Sequence, residues 1–302
     1  MPNASPVLSA SKLTISFGDV QALNSLELDI NAAEVTAILG SNGAGKTTFI
    51  RCALGLTRAS GGTLSLFGSK PGTLAVRRRI GAMLQASDLP DLLTVREQIT
   101  LMSSYYPNSQ PTDDLLTLCQ LHGLADKRYQ TLSGGQKRQA QFALAIVGNP
   151  DLIFLDEPTT GLDTDARERL WERVRSLTSA GTAVVLTTHY LEEADALADR
   201  IVLLQDGRVV ADGTPQEIRN FTSGQLIRCV SPLPLNVLAA LPGVVRAGRS
   251  GRFIEMSTRS APASLKGLLE LDANPADLTV TKPTLDDAMR DLSTSRETQR
   301  AT

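Results

Sequence analysis

Residues 40–48 read Gly40-Ser41-Asn42-Gly43-Ala44-Gly45-Lys46-Thr47-Thr48, follow an apolar run at 35–39, and fit the spacing G-x-x-x-x-G-K-[ST]. The glycines let successive backbone N–H groups converge on phosphate oxygens without Cβ obstruction. A helix start adds favourable dipole charge for an anion. In that setting Lys46 reaches the β- and γ-phosphates and the Thr47 hydroxyl ligates Mg²⁺, so the expected ligand is a nucleoside triphosphate. Downstream, Asp156 and Glu157 end the apolar run Leu-Ile-Phe-Leu at 152–155. Alone, such a pair reads as a solvated turn or a helix cap. Beside a phosphate loop, Asp156 suits the Mg²⁺ shell and Glu157 suits orienting and deprotonating an attacking water. A third feature, Ser133-Gly134-Gly135-Gln136, stands before a helical stretch at 136–147. It makes a second helix N-terminus able to meet an anion. Since one phosphate loop already holds the triphosphate, this turn points to a nucleotide shared between two copies of the chain.

These groups need elements to carry them. Apolar alternation predicts strands over 7–16, 23–30 and 35–39, then a helix from 46 to about 56. A turn-and-strand region runs to about 85, and residues 94–147 are mainly helical. Strand-like runs return at 152–155, 183–186 and 201–204, with a helix over 164–179 as a crossover. Strands alternating with helices predict an α/β fold with a mostly parallel, helix-covered sheet. Open parallel sheets bind ligands at the carboxyl ends of their strands, where both acids and the loop fall. After residue 218 the composition changes: residues 1–218 hold 19 basic against 24 acidic side chains, and 219–302 hold 11 against 8. The expected division is therefore 1–218 and 219–302, with a helical subdomain at about 90–147. The tail reads strand 225–230, helix 233–241, strands 244–246 and 252–257, helix 261–271 and strand 278–282. That βαββαβ order suits a small α+β domain of the ferredoxin-like kind.

With 302 residues, 42 % apolar and 21 % charged, the composition is that of a globular chain. A net charge of -2 and 4 % aromatics argue against a nucleic-acid binder. No stretch approaches the roughly 18 apolar residues of a membrane span, and the first residues do not read as a secretory signal. Cys52, Cys119 and Cys229 are too scattered for a disulfide framework or a metal site. The expected setting is cytoplasmic, so work at a membrane needs a separate spanning partner. His122 reads as a helical surface residue and Arg77-Arg78-Arg79 as a solvated face.

In order and spacing these motifs resemble the ATP-binding subunit of an ABC transporter over about residues 7–218. Residues 40–47 are similar to the Walker A loop, 132–136 to the ABC signature, and 152–157 to the Walker B strand with its catalytic glutamate. The resemblance implies an ABC-type P-loop NTPase with a mostly parallel core sheet, an N-terminal antiparallel β part and a helical subdomain. It implies that Phe17 stacks on adenine, where the family more often has tyrosine. Gln85 matches the Q-loop glutamine that contacts Mg²⁺ and the attacking water, and Asp163 the D-loop aspartate. His189 matches the switch histidine at the γ-phosphate. It also implies a head-to-tail homodimer in which Ser133 and Gly135 of one copy close over the other copy's ATP. The helix after the signature departs modestly at Lys137-Arg138-Gln139-Ala140. Residues 88–98 lie where the family receives a cytoplasmic helix of its permease.

Residues 189–195 and 207–215 look like the type-2 exporter branch, which includes drug-resistance and polysaccharide or lipid exporters, and 282–291 is similar to its C-terminal extension. The implied function is an ATPase powering export through a separate permease, at the cytoplasmic face of the membrane. Residues 219–302 are open to two readings, added dimer contacts or regulation. A soluble ABC ATPase acting on ribosomes or DNA would carry two cassettes, a basic arm or a long heptad insertion between Gln85 and Ser133. A non-catalytic regulator would replace Lys46, Asp156 or Glu157; all three are present.

Overall fold

A computed structural model describes residues 5–85, 89–188, 190–220 and 225–281. The chain divides into two compact units, Met1–Thr214 and Pro215–Thr302, against the expected division after residue 218. Proline suits the first position of a helix, and Pro215 opens one, so the helix stays whole in the second unit.

In the first unit β1 (Leu8–Phe17) and β2 (Val20–Ile30) pair as an antiparallel ribbon. β3 (Val35–Leu39) runs into the glycine loop and α1 (Lys46–Ala53), and β4 (Gly61–Leu66) returns to pair with β1. α2 (Leu74–Arg77) precedes β5 (Ile80–Met83). α3 (Val95–Ser103), α4 (Thr112–Leu118) and α5 (Gly134–Ile146) follow, linked by two short 3-10 turns. Then come β6 (Leu152–Asp156), α6 (Thr164–Ser179), β7 (Ala183–Thr187), α7 (Leu191–Leu197), β8 (Arg200–Gln205) and β9 (Arg208–Gly213).

The central sheet has the order β5-β6-β7-β3-β8-β9, parallel except for the antiparallel edge strand β9. Strands covered on both faces must be apolar throughout, and every residue of β3, β6 and β7 is buried. The order brings the ends of β5, β6, β7 and β3 side by side, although 104 residues separate Met83 from Thr187 in the chain. Four of the described helices start from capping side chains, α2 from Thr73 among them. Thr94 and Glu97 cap α3 reciprocally, Ser133 and Gln136 do so for α5, and Asp163 caps α6. α6 buries Ala166, Leu170 and Val174, one face at helical spacing.

In the second unit α8 (Pro215–Asn220) leads to β10 (Gln225–Val230), α9 (Leu235–Ala239), β11 (Val244–Ser250), β12 (Phe253–Thr258), α10 (Ala261–Leu271) and β13 (Ala276–Thr281). Its sheet runs β11-β12-β10-β13 with every neighbour antiparallel, the split βαβ arrangement. Ile227, Cys229, Leu238, Ile254, Met256 and Leu268 form its own core.

Candidate nucleotide-binding and catalytic site

The carboxyl ends of four neighbouring strands each deliver part of one site. β3 delivers the loop at 40–45, β6 Asp156 and Glu157, β7 Thr187, and β5 Gln85. The loop is fixed by contact with backbone on both sides. A Cβ on Gly40 would stand 2.2 Å from the Leu204 carbonyl oxygen. Gly45 caps α1 at φ 107, and a Cβ there would lie 2.6 Å from the Ala22 carbonyl oxygen. No side chain caps α1, so its first N–H groups are left for a ligand. Ser41, Asn42 and Gly43 are exposed on the loop, Ala44 is buried, Thr47 is exposed and Thr48 half-buried.

Lys46 is 7 % exposed and donates to the carbonyl oxygens of Gly40 at 2.6 Å and Ser41 at 3.0 Å. Burial pulls its ammonium below the ordinary lysine value, and Glu157 and Asp156 oppose that pull. A triphosphate beside Lys46 adds negative charge where burial disfavours the cation.

The Thr47 hydroxyl donates to Asp156 Oδ2 at 3.2 Å, while Thr187 donates to Asp156 Oδ1 at 2.5 Å. Gln85 Nε2 donates to Glu157 Oε2 at 3.2 Å, and the Thr160 hydroxyl lies 3.4 Å from the same oxygen. Glu157 holds φ 50, a left-handed conformation that costs a side-chain-bearing residue about 1–2 kcal/mol. Its N–H bonds the Thr187 carbonyl at 2.9 Å, which keeps the turn in that form. Hydroxyl, carboxylate and amide oxygen are hard donors of the kind Mg²⁺ prefers, and Thr47 and Asp156 already face each other. The donor set therefore fits the cation.

Lys46, Thr47, Gln85, Asp156 and Glu157 are thus brought together. Phe17 ends β1 with 56 % of its surface exposed. Ser133 and Gln136 bond each other: Ser133 Oγ accepts from the Gln136 N–H, and Gln136 Oε1 from the Ser133 N–H. Gly134 and Gly135 form the first turn of that helix. Asp163 accepts from the Ala166 N–H at 2.8 Å as the cap of α6. His189 lies outside the described residues. Sequence reasoning missed Thr187 and Thr160. Thr187 is the last residue of β7, but only the parallel register Asp156↔Thr187 reveals the contact.

A mostly apolar cavity of about 320 Å³ lies among β5, the end of α1, α3 and α5, lined by Leu54, Met83, Leu89, Met102 and Tyr106 with Arg77 and Gln141 also on its wall. Of the segment 88–98 only Leu89 reaches it; Thr94 and Glu97 are used in capping α3, and Asp88 lies outside the described residues. Arg77, Arg78 and Arg79 are exposed, as expected, and on that surface Arg79 pairs with Asp151 at 2.6 Å and stacks 3.7 Å over Phe67. No described helix is long and apolar enough to cross a membrane.

Residues 23–160 match the family model of the ABC transporter. The Nod factor export ATP-binding protein I of Burkholderia lata is 41 % identical over 67 % of this chain and 69 % of its own. The daunorubicin/doxorubicin resistance ATP-binding protein DrrA of Streptomyces peucetius is 41 % identical over 73 % of this chain and 69 % of its own. A solved ATP-binding subunit of an ABC transporter superposes with a TM-score of 0.66 at 29 % identity, covering 71 % of this chain and 92 % of that one. A bacterial ABC transporter cassette solved as a dimer gives 0.63 at 26 % identity over 68 % of this chain and 98 % of that one. The chain belongs to the ABC transporter family and is one of its ATP-hydrolysing cassettes.

Proposed function

We propose that this chain powers export through a separate membrane permease, as a homodimer that closes over two ATP molecules with Mg²⁺. The observation that carries this is the convergence of Lys46, Thr47, Gln85, Asp156 and Glu157 on one edge of the sheet. The glycine loop binds the phosphates through its N–H groups, Lys46 sits at the β- and γ-phosphates, and Phe17 stacks on the adenine. Thr47, Asp156 and Gln85 hold Mg²⁺, which neutralises charge on the phosphates when bound. Glu157 accepts a proton from the attacking water, and its bonds from Gln85 and Thr160 keep the carboxylate oriented. By the family resemblance, His189 of the same chain and the partner's Ser133 stabilise the γ-phosphate, and Asp163 helps couple the two sites.

Names among the relatives support the direction of transport: one exports Nod factor and one confers drug resistance. The cargo class is a drug, lipid or polysaccharide, and its path belongs to the permease. The cavity beside β5 supports docking of a cytoplasmic helix of that permease, and in this reading the chain works at the cytoplasmic face of the membrane. ATP turnover tests the site. Glu157→Gln keeps the shape but not the base, so the rate falls by about 10²-fold or more while ATP still binds. A variant as fast as the parent removes Glu157 as the general base.

A further inference from the structure

α6 and α7 are laced together along one stripe. Arg167, Trp171 and Arg175 stand at i, i+4 and i+8 on α6. Arg167 lies 3.7 Å from Glu192 and 5.6 Å from the Tyr190 ring, and Arg175 donates to the Ala196 carbonyl at 2.7 Å. Between them, Trp171 Nε1 donates to Glu193 Oε1 at 3.4 Å. Glu193 is the unusual member, because it is 0 % exposed. Its second oxygen, Oε2, and the Thr159 hydroxyl are both buried without a hydrogen-bond partner, although the hydroxyls of Thr159 and Thr188 face this carboxyl. A carboxyl needed only to fill space would be better replaced by an apolar group.

What surrounds it gives it a use. Thr159 is two residues beyond Glu157 and Thr188 one beyond Thr187, which holds Asp156. Trp171 lies on the helix that Asp163 caps. Three segments that frame the triphosphate site therefore meet at one buried side chain.

We propose that Glu193 is a positioning residue that joins the turn after Glu157, the end of β7 and α6 into one body. A change at the triphosphate is then carried through the Glu193–Trp171 contact to α6 and the turn at Asp163. The inference rests on the site reading given above.

Trp171 is the chain's single tryptophan, and its indole N–H sits on Glu193, so its emission reports this contact directly. The full chain is titrated with MgATP, and steady-state hydrolysis is measured alongside. MgATP is expected to shift Trp171 emission in the parent and in Glu157→Gln. Glu193→Ala should lose that shift and about tenfold or more in kcat, with the KM for ATP changed less than about twofold. Glu193→Gln keeps an acceptor for Trp171 and offers an amide to Thr159, so it should retain at least about half of kcat and the shift. Should Glu193→Ala fail to fold, Trp171→Phe removes only the donor and is expected to lower kcat about threefold at constant KM. The proposal is overturned by unchanged kcat in Glu193→Ala or Trp171→Phe, by losses matched in KM, or by Glu193→Gln as impaired as Glu193→Ala. Glu157→Gln separates the two readings. Parental turnover there removes the site assignment itself, whereas a dead Glu157→Gln beside an unimpaired Glu193→Ala removes only the role of Glu193.

Discussion

Two helices of this chain begin at glycine-containing turns suited to anions, and they are built in opposite ways. α1 starts from Gly45 in the left-handed region with no side-chain cap. α5 starts from Ser133, and a reciprocal pair of hydrogen bonds with Gln136 satisfies its first turn from within. The glycines differ in the same sense. Gly45 is demanded by the chain itself, since a Cβ would stand 2.6 Å from the Ala22 carbonyl and 2.7 Å from Leu23 Cδ2. Gly134 is not: a Cβ there meets nothing within 4 Å. The first turn is shaped by intramolecular packing to receive phosphate. The second is complete without a ligand, and its bare backbone is what the proposed contact with the nucleotide of a second copy would use.

That contrast can be broken by substitution. Gly45→Ala forces a side chain into a left-handed position against backbone, so urea melts should show a loss of about 2 kcal/mol or more and nucleotide binding should vanish. If Gly45→Ala is as stable as the parent and still binds ATP, the first turn is not set by packing. Ser133→Ala removes a cap and should cost about 1 kcal/mol. Ser133→Asp sharpens the comparison, because aspartate caps equally well yet sets a carboxylate against the partner's triphosphate. Its melt should match the parent within a few tenths of a kcal/mol, while light scattering should find no dimer in MgATP. The smallest effect belongs to Gly134→Ala. Alanine is the better helix former by up to about 1 kcal/mol, so the isolated chain should be no less stable while MgATP-driven dimerisation weakens. Destabilisation by Gly134→Ala would mean the second turn has an intramolecular role after all.

Much of this was legible in the residues, and what was not shares a cause. Continuous apolar runs marked β3, β6 and β7, and motif spacing placed the loop, Asp156 and Glu157 on one sheet edge. Thr187 and Thr160 were invisible because their roles depend on register and on the turn that Glu157 makes at φ 50. Arg79 is solvated as read, but its partners, Asp151 and Phe67, reach it only through the fold. Glu193 was hidden by its neighbours: nothing in Leu-Glu-Glu-Ala-Asp sets it apart from Glu192, yet it lies under Trp171 while Glu192 points outward. Local pattern finds groups that act where they stand in the chain; it misses those whose meaning comes from a distant neighbour.

The most direct measurement is the mass in solution of full-length Glu157→Gln with saturating MgATP, by light scattering. The shared-nucleotide reading predicts twice the monomer mass, reverting to one when MgADP replaces MgATP or when Ser133→Asp is added. A Glu157→Gln protein that binds MgATP yet stays at monomer mass, alone and with its permease, contradicts it.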